Sequence, residues 1–208
     1  MKQGPVARLV VASGNRGKLS ELRQLLTGIE CVSQGELGVA DVEETASTFV
    51  ENALLKARHA ARVTGLPALA DDSGLCVDAL GGAPGLHSAR YAGVGADAHA
   101  NIGKLLAALE HVPEAQRSAR FYCVLVLLRD ADDPQPLIAE GEWHGRILHA
   151  PRGVGGFGYD PVFFDPGRGV SAAELAPDVK SRISHRGRAL AVLHQRLRSA
   201  LADVAWAS

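Results

Sequence analysis

Several familiar signatures are missing from this 208-residue sequence, and each absence removes a class of protein. Its cysteines number three (Cys31, Cys76 and Cys123), an odd count, widely spaced and each set among apolar neighbours. That excludes a disulfide framework, and with no CxxC pair nothing supports a zinc site. Free thiols in a reducing compartment fit best, so the expected location is cytoplasmic. A formal net charge of −1 argues against a general nucleic-acid coat, which would be strongly basic. No apolar run approaches the ~20 residues that a membrane helix needs, so no membrane partner is expected. The N-terminus carries Lys2 and a short apolar stretch, too short for the core of a signal peptide. The Walker spacing is absent, and no serine or cysteine nucleophile with a partnered histidine stands out.

What is present is a chain with 47% apolar residues, long enough for one large domain or one core with two lobes. Strand-like and helix-like segments alternate. A buried strand is predicted over Ala7 to Ala12, followed by a helix carrying Leu19, Leu22, Leu25 and Leu26, with Gly28 as its stop. Ile29 to Ser33 reads as a second strand. Thr48 with Glu51 makes a capping box that opens a helix through about Val63, with Gly65 beyond its end. Ala68 to Ala70 and Leu75 to Leu80 read as strands on either side of Asp71-Asp72-Ser73-Gly74, and Gly81 to Gly85 as a loop. Asp97 caps a helix to about Glu110. Ala119 to Arg129 and about Leu137 to His149 form a strand pair, and a last helix is predicted from about Arg186 to Val204. A hairpin-like pair among βα units gives an α/β class with a mixed sheet.

Four clusters carry chemistry. The first is Ser13-Gly14-Asn15-Arg16-Gly17-Lys18, between the first strand and helix. Backbone N–H groups, a helix N-terminus and a lysine meet there, which suits a phosphate, although an ordinary connector has the same look. The second is acidic: Glu43 and Glu44 in a loop, and Asp71-Asp72 beside an apolar strand. Adjacent carboxylates repel unless a cation offsets them, and Mg²⁺ takes one or two carboxylates plus phosphate oxygens. A plain turn is the alternative. The third, Gly153 to Asp160, sets Phe157 and Tyr159 among glycines, where a ring could stack on a base or tuck inside. The fourth, Lys180 to Arg188, lies just before and within the first turn of the last helix, where cations are unfavourable unless an anion compensates; a solvated face or an RNA contact is the other reading. Together these suit a Mg-bound nucleoside polyphosphate attacked directly by water.

The motifs SGNRGK (13–18), EETASTFVENALLKA (43–57), ADDSGLCVDALGGAPGLHSARYAG (70–93), GGFGYDPVF (155–163) and KSRISHRGRAL (180–190) resemble those of the inosine triphosphate pyrophosphatase family, the bacterial dITP/XTP pyrophosphatases. The resemblance runs from Leu9 to about Leu193. It implies an elongated mixed β-sheet flanked by helices, one pyrophosphatase domain over 1–208 made of two lobes with a central active-site cleft, and a homodimer. It also implies hydrolysis of aberrant purine nucleoside triphosphates between the α- and β-phosphates, releasing monophosphate and pyrophosphate. Residue by residue, Ser13, Gly14, Asn15, Arg16, Gly17 and Lys18 would hold the triphosphate. Glu43 and Asp72 would hold Mg²⁺, with Asp72 the proton acceptor and Asp71 and Glu44 in support. Ser73, Phe157, Gly158, Tyr159, Asp160, Lys180, His185 and Arg186 would contact substrate. Ser13 stands where the family usually has threonine, and both offer a hydroxyl. The competing readings are a pyrophosphatase for another base, such as the Maf-like proteins, an RNA-binding module using 180–188, and a silent nucleotide binder.

Overall fold

The computed structural model describes residues 8–26 and 29–205, without the side chains of 16, 24, 25 and 198–205. Gly28 and Ala7 lie outside the described residues. Seven strands form one mixed sheet in the order β2-β1-β3-β4-β5-β6-β7: β1 (Arg8–Ala12), β2 (Glu30–Ser33), β3 (Ala68–Val77), β4 (Ser118–Leu128), β5 (Leu137–Ile147), β6 (Phe163–Asp165) and β7 (Val170–Ser171). The helices are α1 (Arg16–Leu25), α2 (Phe49–Thr64), α3 (Ala98–Ala108), α4 (Pro177–Ile183) and α5 (His185–Ala205). No described helix is long and apolar enough to cross a membrane.

The chain divides into two compact units: Met1–Asp72 with Val124–Glu140 and Ala189–Ser208, and Ser73–Cys123 with Gly141–Arg188. In the first, β1 is parallel to both β2 and β3, with Leu9 opposite Cys31 and Ala12 opposite Ala70. Parallel neighbours need crossovers, and α1 and α2 supply them. The chain leaves β1 to one side through α1 and returns to its other side through α2. That reversal makes the carboxyl ends of β1 and β3 a topological switch point, where open α/β sheets hold their ligands. Val10, Val11, Leu69, Leu22, Ala53, Ala57 and Ala60 fill the surrounding interior.

α2 forms where the sequence places it. The Thr48 hydroxyl accepts the Glu51 N–H at 3.3 Å and donates to the Glu51 carboxylate at 2.6 Å, and Gly65 closes the helix at φ 66°. Asp97 likewise caps α3 through the Ala100 N–H at 2.8 Å.

The second unit packs around Leu75, Leu105, Phe121, Trp143, Tyr159 and Phe163. The Phe121 and Phe163 rings stand 4.5 Å apart, and the Trp143 indole N–H donates to Asp165 at 3.0 Å. Arg117, 1% exposed, donates to the carbonyls of Leu109 (2.7 Å), Ile147 (2.9 Å) and Leu148 (3.0 Å). It ties the end of α3 to the end of β5, and a buried guanidinium is tolerable only because its donors are used.

Three sequence expectations are corrected. Asp71 to Gly74 does not separate two strands but lies inside β3, and Asp78–Leu80 is a short 3-10 turn. Lysine partners offset the aspartate charge there, so β3 can continue; Gly74 is required because a Cβ would collide with the Gly85 carbonyl. Lys180 to Ile183, expected just before the last helix with no helix of its own, belongs to α4, which Pro177 opens. Ser184 then leaves the helical conformation, and its hydroxyl accepts the Gly187 N–H at 3.2 Å as α5 begins. Lys180 and Arg182 therefore end a helix, where cations are favoured. Finally, β6 and β7 are too short to show a period and were not expected.

Candidate active site

In the first unit, β1 ends at Ala12, and the turn that follows is built by its own side chains. Ser13 Oγ accepts the Asn15 N–H at 3.2 Å, and Asn15 Oδ1 accepts the Lys18 N–H at 3.1 Å, capping α1. The first turn of α1 holds no acid, only Arg16 and Lys18, so the positive end of the helix carries added positive charge. Isolated, that arrangement is unfavourable; opposite an anion it is a binding site. A cavity of about 820 Å³, lined by Ser13, Gly14, Ser20 and Ser33 among others, opens beside the turn.

The β1–β3 register brings the acids to this turn. Because Ala12 faces Ala70, Asp71 follows directly beside Ser13. Its carboxylate is fully buried and pairs with Lys18 Nζ at 2.6 Å. Asp72 takes a different lysine: Lys56 of α2 donates to Asp72 Oδ1 (2.8 Å), to Glu44 Oε1 (2.9 Å) and to the Asp71 carbonyl (2.9 Å). Those three acceptors use all three donors of the ammonium. Burial would lower the Lys56 pKa, but Asp72 and Glu44 outweigh it and hold the ammonium above the ordinary lysine range. Burial pushes the Asp72 carboxyl above its usual range, against the opposing pull of Lys56 and Lys18. Asp72 Oδ2 is buried and has no hydrogen-bond partner among the described residues.

An orphaned carboxylate oxygen of that kind calls for a proton or a cation. The donor set is sparse. No group of three or more metal-ligating side chains occurs among the described residues. Mg²⁺ fits such a set better than zinc or calcium would, because it keeps several waters and takes one or two carboxylates plus phosphate oxygens. Glu44 shares Lys56 with Asp72, whereas Glu43 is exposed on the same loop.

In the second unit the glycine-rich loop and α4 form one cluster. Asp160, 3% exposed, accepts the Phe157 N–H at 2.7 Å and the Lys180 ammonium at 2.6 Å. Gly156, at φ 72°, has to be glycine because a Cβ would run into that carboxylate. Phe157 is half-buried, with Lys180 Nζ 4.7 Å and the Arg186 guanidinium 5.9 Å from its ring centre. Arg186 is buried and donates to Ser73 Oγ at 3.2 Å. His185 lies nearly parallel to Phe121, ring centres 4.8 Å apart. Gly158 lies between Phe157 and Tyr159 with φ 59°, and Tyr159 turns into the core, its hydroxyl donating to the Ser88 carbonyl at 2.9 Å.

The fold thus groups Ser13, Gly14, Asn15, Gly17, Lys18, Glu44, Asp71 and Asp72 in one unit, with the backbone of Arg16 at the start of α1. It groups Ser73, Phe157, Asp160, Lys180 and Arg186 in the other, with His185 beside Arg186. Lys56 was missed by sequence reasoning, although its signal was present. It stands three or four positions from Asn52, Ala53 and Ala60, on the buried stripe of α2, and a lysine on such a stripe needs an acid partner.

A helix-capped cationic turn at the switch point of an open α/β sheet, backed by lysine-held aspartates, is the kind of site that nucleotide-handling proteins use. The Ham1 family profile matches residues 9–196, and the chain belongs to that family. A dITP/XTP pyrophosphatase of Xanthomonas campestris pv. campestris (strain 8004) is 65% identical over 191 residues, covering 91% of this chain and 96% of that protein. A dITP/XTP pyrophosphatase of Xylella fastidiosa (strain Temecula1) is 61% identical over 196 residues, covering 93% and 96%. The solved structure of a HAM1 protein from Coxiella burnetii superposes with a TM-score of 0.85 at 52% identity, covering 92% of this chain and 98% of that one.

Proposed function

We propose that this protein hydrolyses aberrant purine nucleoside triphosphates of the dITP and XTP kind to the monophosphate and pyrophosphate, keeping them out of DNA and RNA. The observation that carries the reading is the pair of aspartates at the phosphate turn. One is closed by Lys18, and the other is held by Lys56 on a single oxygen with its second oxygen open. Relatives with 61–65% identity and the dITP/XTP pyrophosphatase name support it.

In this reading the Ser13–Lys18 turn binds and orients the polyphosphate, and Lys18 steadies its charge as the α–β anhydride breaks. Asp72 and the Glu43–Glu44 loop would hold Mg²⁺, which when bound supplies neutralisation of the phosphate charge. Asp72 Oδ2 accepts the proton of the attacking water, and burial, by pushing its carboxyl above the usual range, makes it a stronger base. The new bond joins the water oxygen to phosphorus, and pyrophosphate departs. Phe157 offers a ring face for the base. The family resemblance gives recognition of a 6-oxo purine to 157–160 and 185–186; adenine's 6-amino group would meet a donor with a donor, at a cost of roughly 1–3 kcal/mol. The working protein is a cytoplasmic homodimer.

The test is product analysis with dITP, XTP, ATP and GTP in the presence of Mg²⁺. Pyrophosphate and monophosphate form from dITP and XTP, with ATP slower by about ten- to a hundredfold. Release of single phosphate, or equal rates on dITP and ATP, overturns the reading.

A further inference from the structure

We propose that Asp41 makes the phosphate turn selective for polyphosphate that arrives as its divalent-cation complex; the inference rests on reading Ser13 to Lys18 as a polyphosphate grip. A Cβ added to Gly14 would stand 3.2 Å from Asp41 Oδ2 and 3.5 Å from Oδ1, so this carboxylate lies against the backbone of the turn. Asp41 is exposed, yet its position is fixed. Its Oδ1 accepts the side-chain amide of Gln34, which is 5% exposed. The Gln34 N–H donates to the Val11 carbonyl of β1 at 3.0 Å, and the Gln34 carbonyl accepts the Val39 N–H at 2.9 Å. The preceding carbonyl, Ala40 O, lies 3.0 Å from His59 Nε2. Val11 is two residues from Ser13, so one buried residue, Gln34, couples the end of β1 through its backbone to Asp41 and the loop that leads to Glu43 and Glu44 through its side chain.

A carboxylate fixed there opposes what the rest of the turn does. Lys18 and the α1 N-terminus attract anions, and no acid in that first turn counters them. Asp41 adds one negative charge within a few ångströms of the same backbone. Bare polyphosphate, with several charges, bears the repulsion in full. Polyphosphate already carrying a divalent cation presents less charge and bears little of it.

The experiment uses the full chain, wild type and Asp41→Asn, with pyrophosphate as the calorimetric titrant in excess Mg²⁺ and again in chelator. Asparagine keeps the acceptor for Gln34 and removes only the charge. Asp41→Asn should strengthen metal-free pyrophosphate binding by about tenfold, change binding in Mg²⁺ by less than about twofold, and lose most of its effect at about 1 M salt. Loss of a merely structural anchor would weaken both forms. Weakening of both, an equal change in both, or no change overturns the proposal. Lys18→Ala run in parallel separates the two levels: if it leaves pyrophosphate binding intact, the grip reading falls and the Asp41 assignment with it.

Discussion

Lys56 gives the sharpest test of how the acidic pair is held. Replacing it with methionine keeps the length of the side chain and removes the ammonium from Asp72 Oδ1, Glu44 Oε1 and the Asp71 carbonyl at once. Removing one partner of a buried pair costs about 3–5 kcal/mol, because it strands the other charge. Here the Lys56 and Asp72 side chains are 13% and 8% exposed, which favours the full cost, while Glu44 at 27% can turn to solvent and relieve part of it. The lower end, about 3 kcal/mol, is the expected loss. For a chain of this size that lowers the melting temperature by roughly 6–12 °C, measured calorimetrically without divalent cations. Turnover on dITP should fall at least about a hundredfold, since Asp72 is no longer aimed. A melting temperature within about 2 °C of wild type would show that Lys56 contributes little net energy, and the account of the paired acids would be wrong.

Other substitutions separate chemistry from scaffold. Asp72→Asn should lose most turnover on dITP, and because asparagine keeps an acceptor for Lys56 while losing the charge, its melting temperature should fall by less than that of Lys56→Met; normal activity breaks the assignment of the proton acceptor. Lys18→Ala should raise KM and lower kcat together, because a phosphate contact strengthens as charge develops; a change in neither counts against its role. Arg117→Met leaves the carbonyls of Leu109, Ile147 and Leu148 buried without their donor, and should cost about 3 kcal/mol or more in denaturant unfolding. Whatever fraction remains folded should keep a wild-type KM.

How much of this was legible in the sequence depends on the range of the interactions. α2 was legible because Thr48, Glu51 and Gly65 carry its start and stop locally. The turn between β1 and α1 was legible for the same reason: Ser13, Asn15 and Lys18 bond to one another within a few residues. The strand through Asp71-Asp72-Ser73-Gly74 was not. Its residues favour turns on their own, and only lysines 53 positions back on α1 and 16 back on α2 make it tolerable for them to stay extended. α4 was missed because it is short and a single residue, Ser184, separates it from α5, leaving no polar linker to mark a second helix. Lys56 is the intermediate case: its helical spacing to Asn52, Ala53 and Ala60 held a signal of burial that was not read, and nothing local says which acid it serves.

The two aspartates are adjacent in sequence yet sit in different electrostatic conditions, and the proposed division of their roles follows from that difference. Asp71 is fully buried and bound at 2.6 Å to a lysine at the mouth of the phosphate turn. Its charge is spent orienting Lys18, and protonating it would release that lysine. Asp72 has one oxygen anchored by Lys56, its other oxygen buried without a partner, and a carboxyl pushed upward by burial. A carboxylate anchored at one oxygen has a fixed direction, and one left open at the other can accept. Direction and capacity are the two properties a proton acceptor needs. Exchanging the neighbours tests the division directly. Asp71→Asn should keep the open oxygen of Asp72 and impair mainly substrate affinity, whereas Asp72→Asn should impair mainly turnover. Equal losses of kcat in both variants would mean that the pair acts as one unit, and that no division of labour exists.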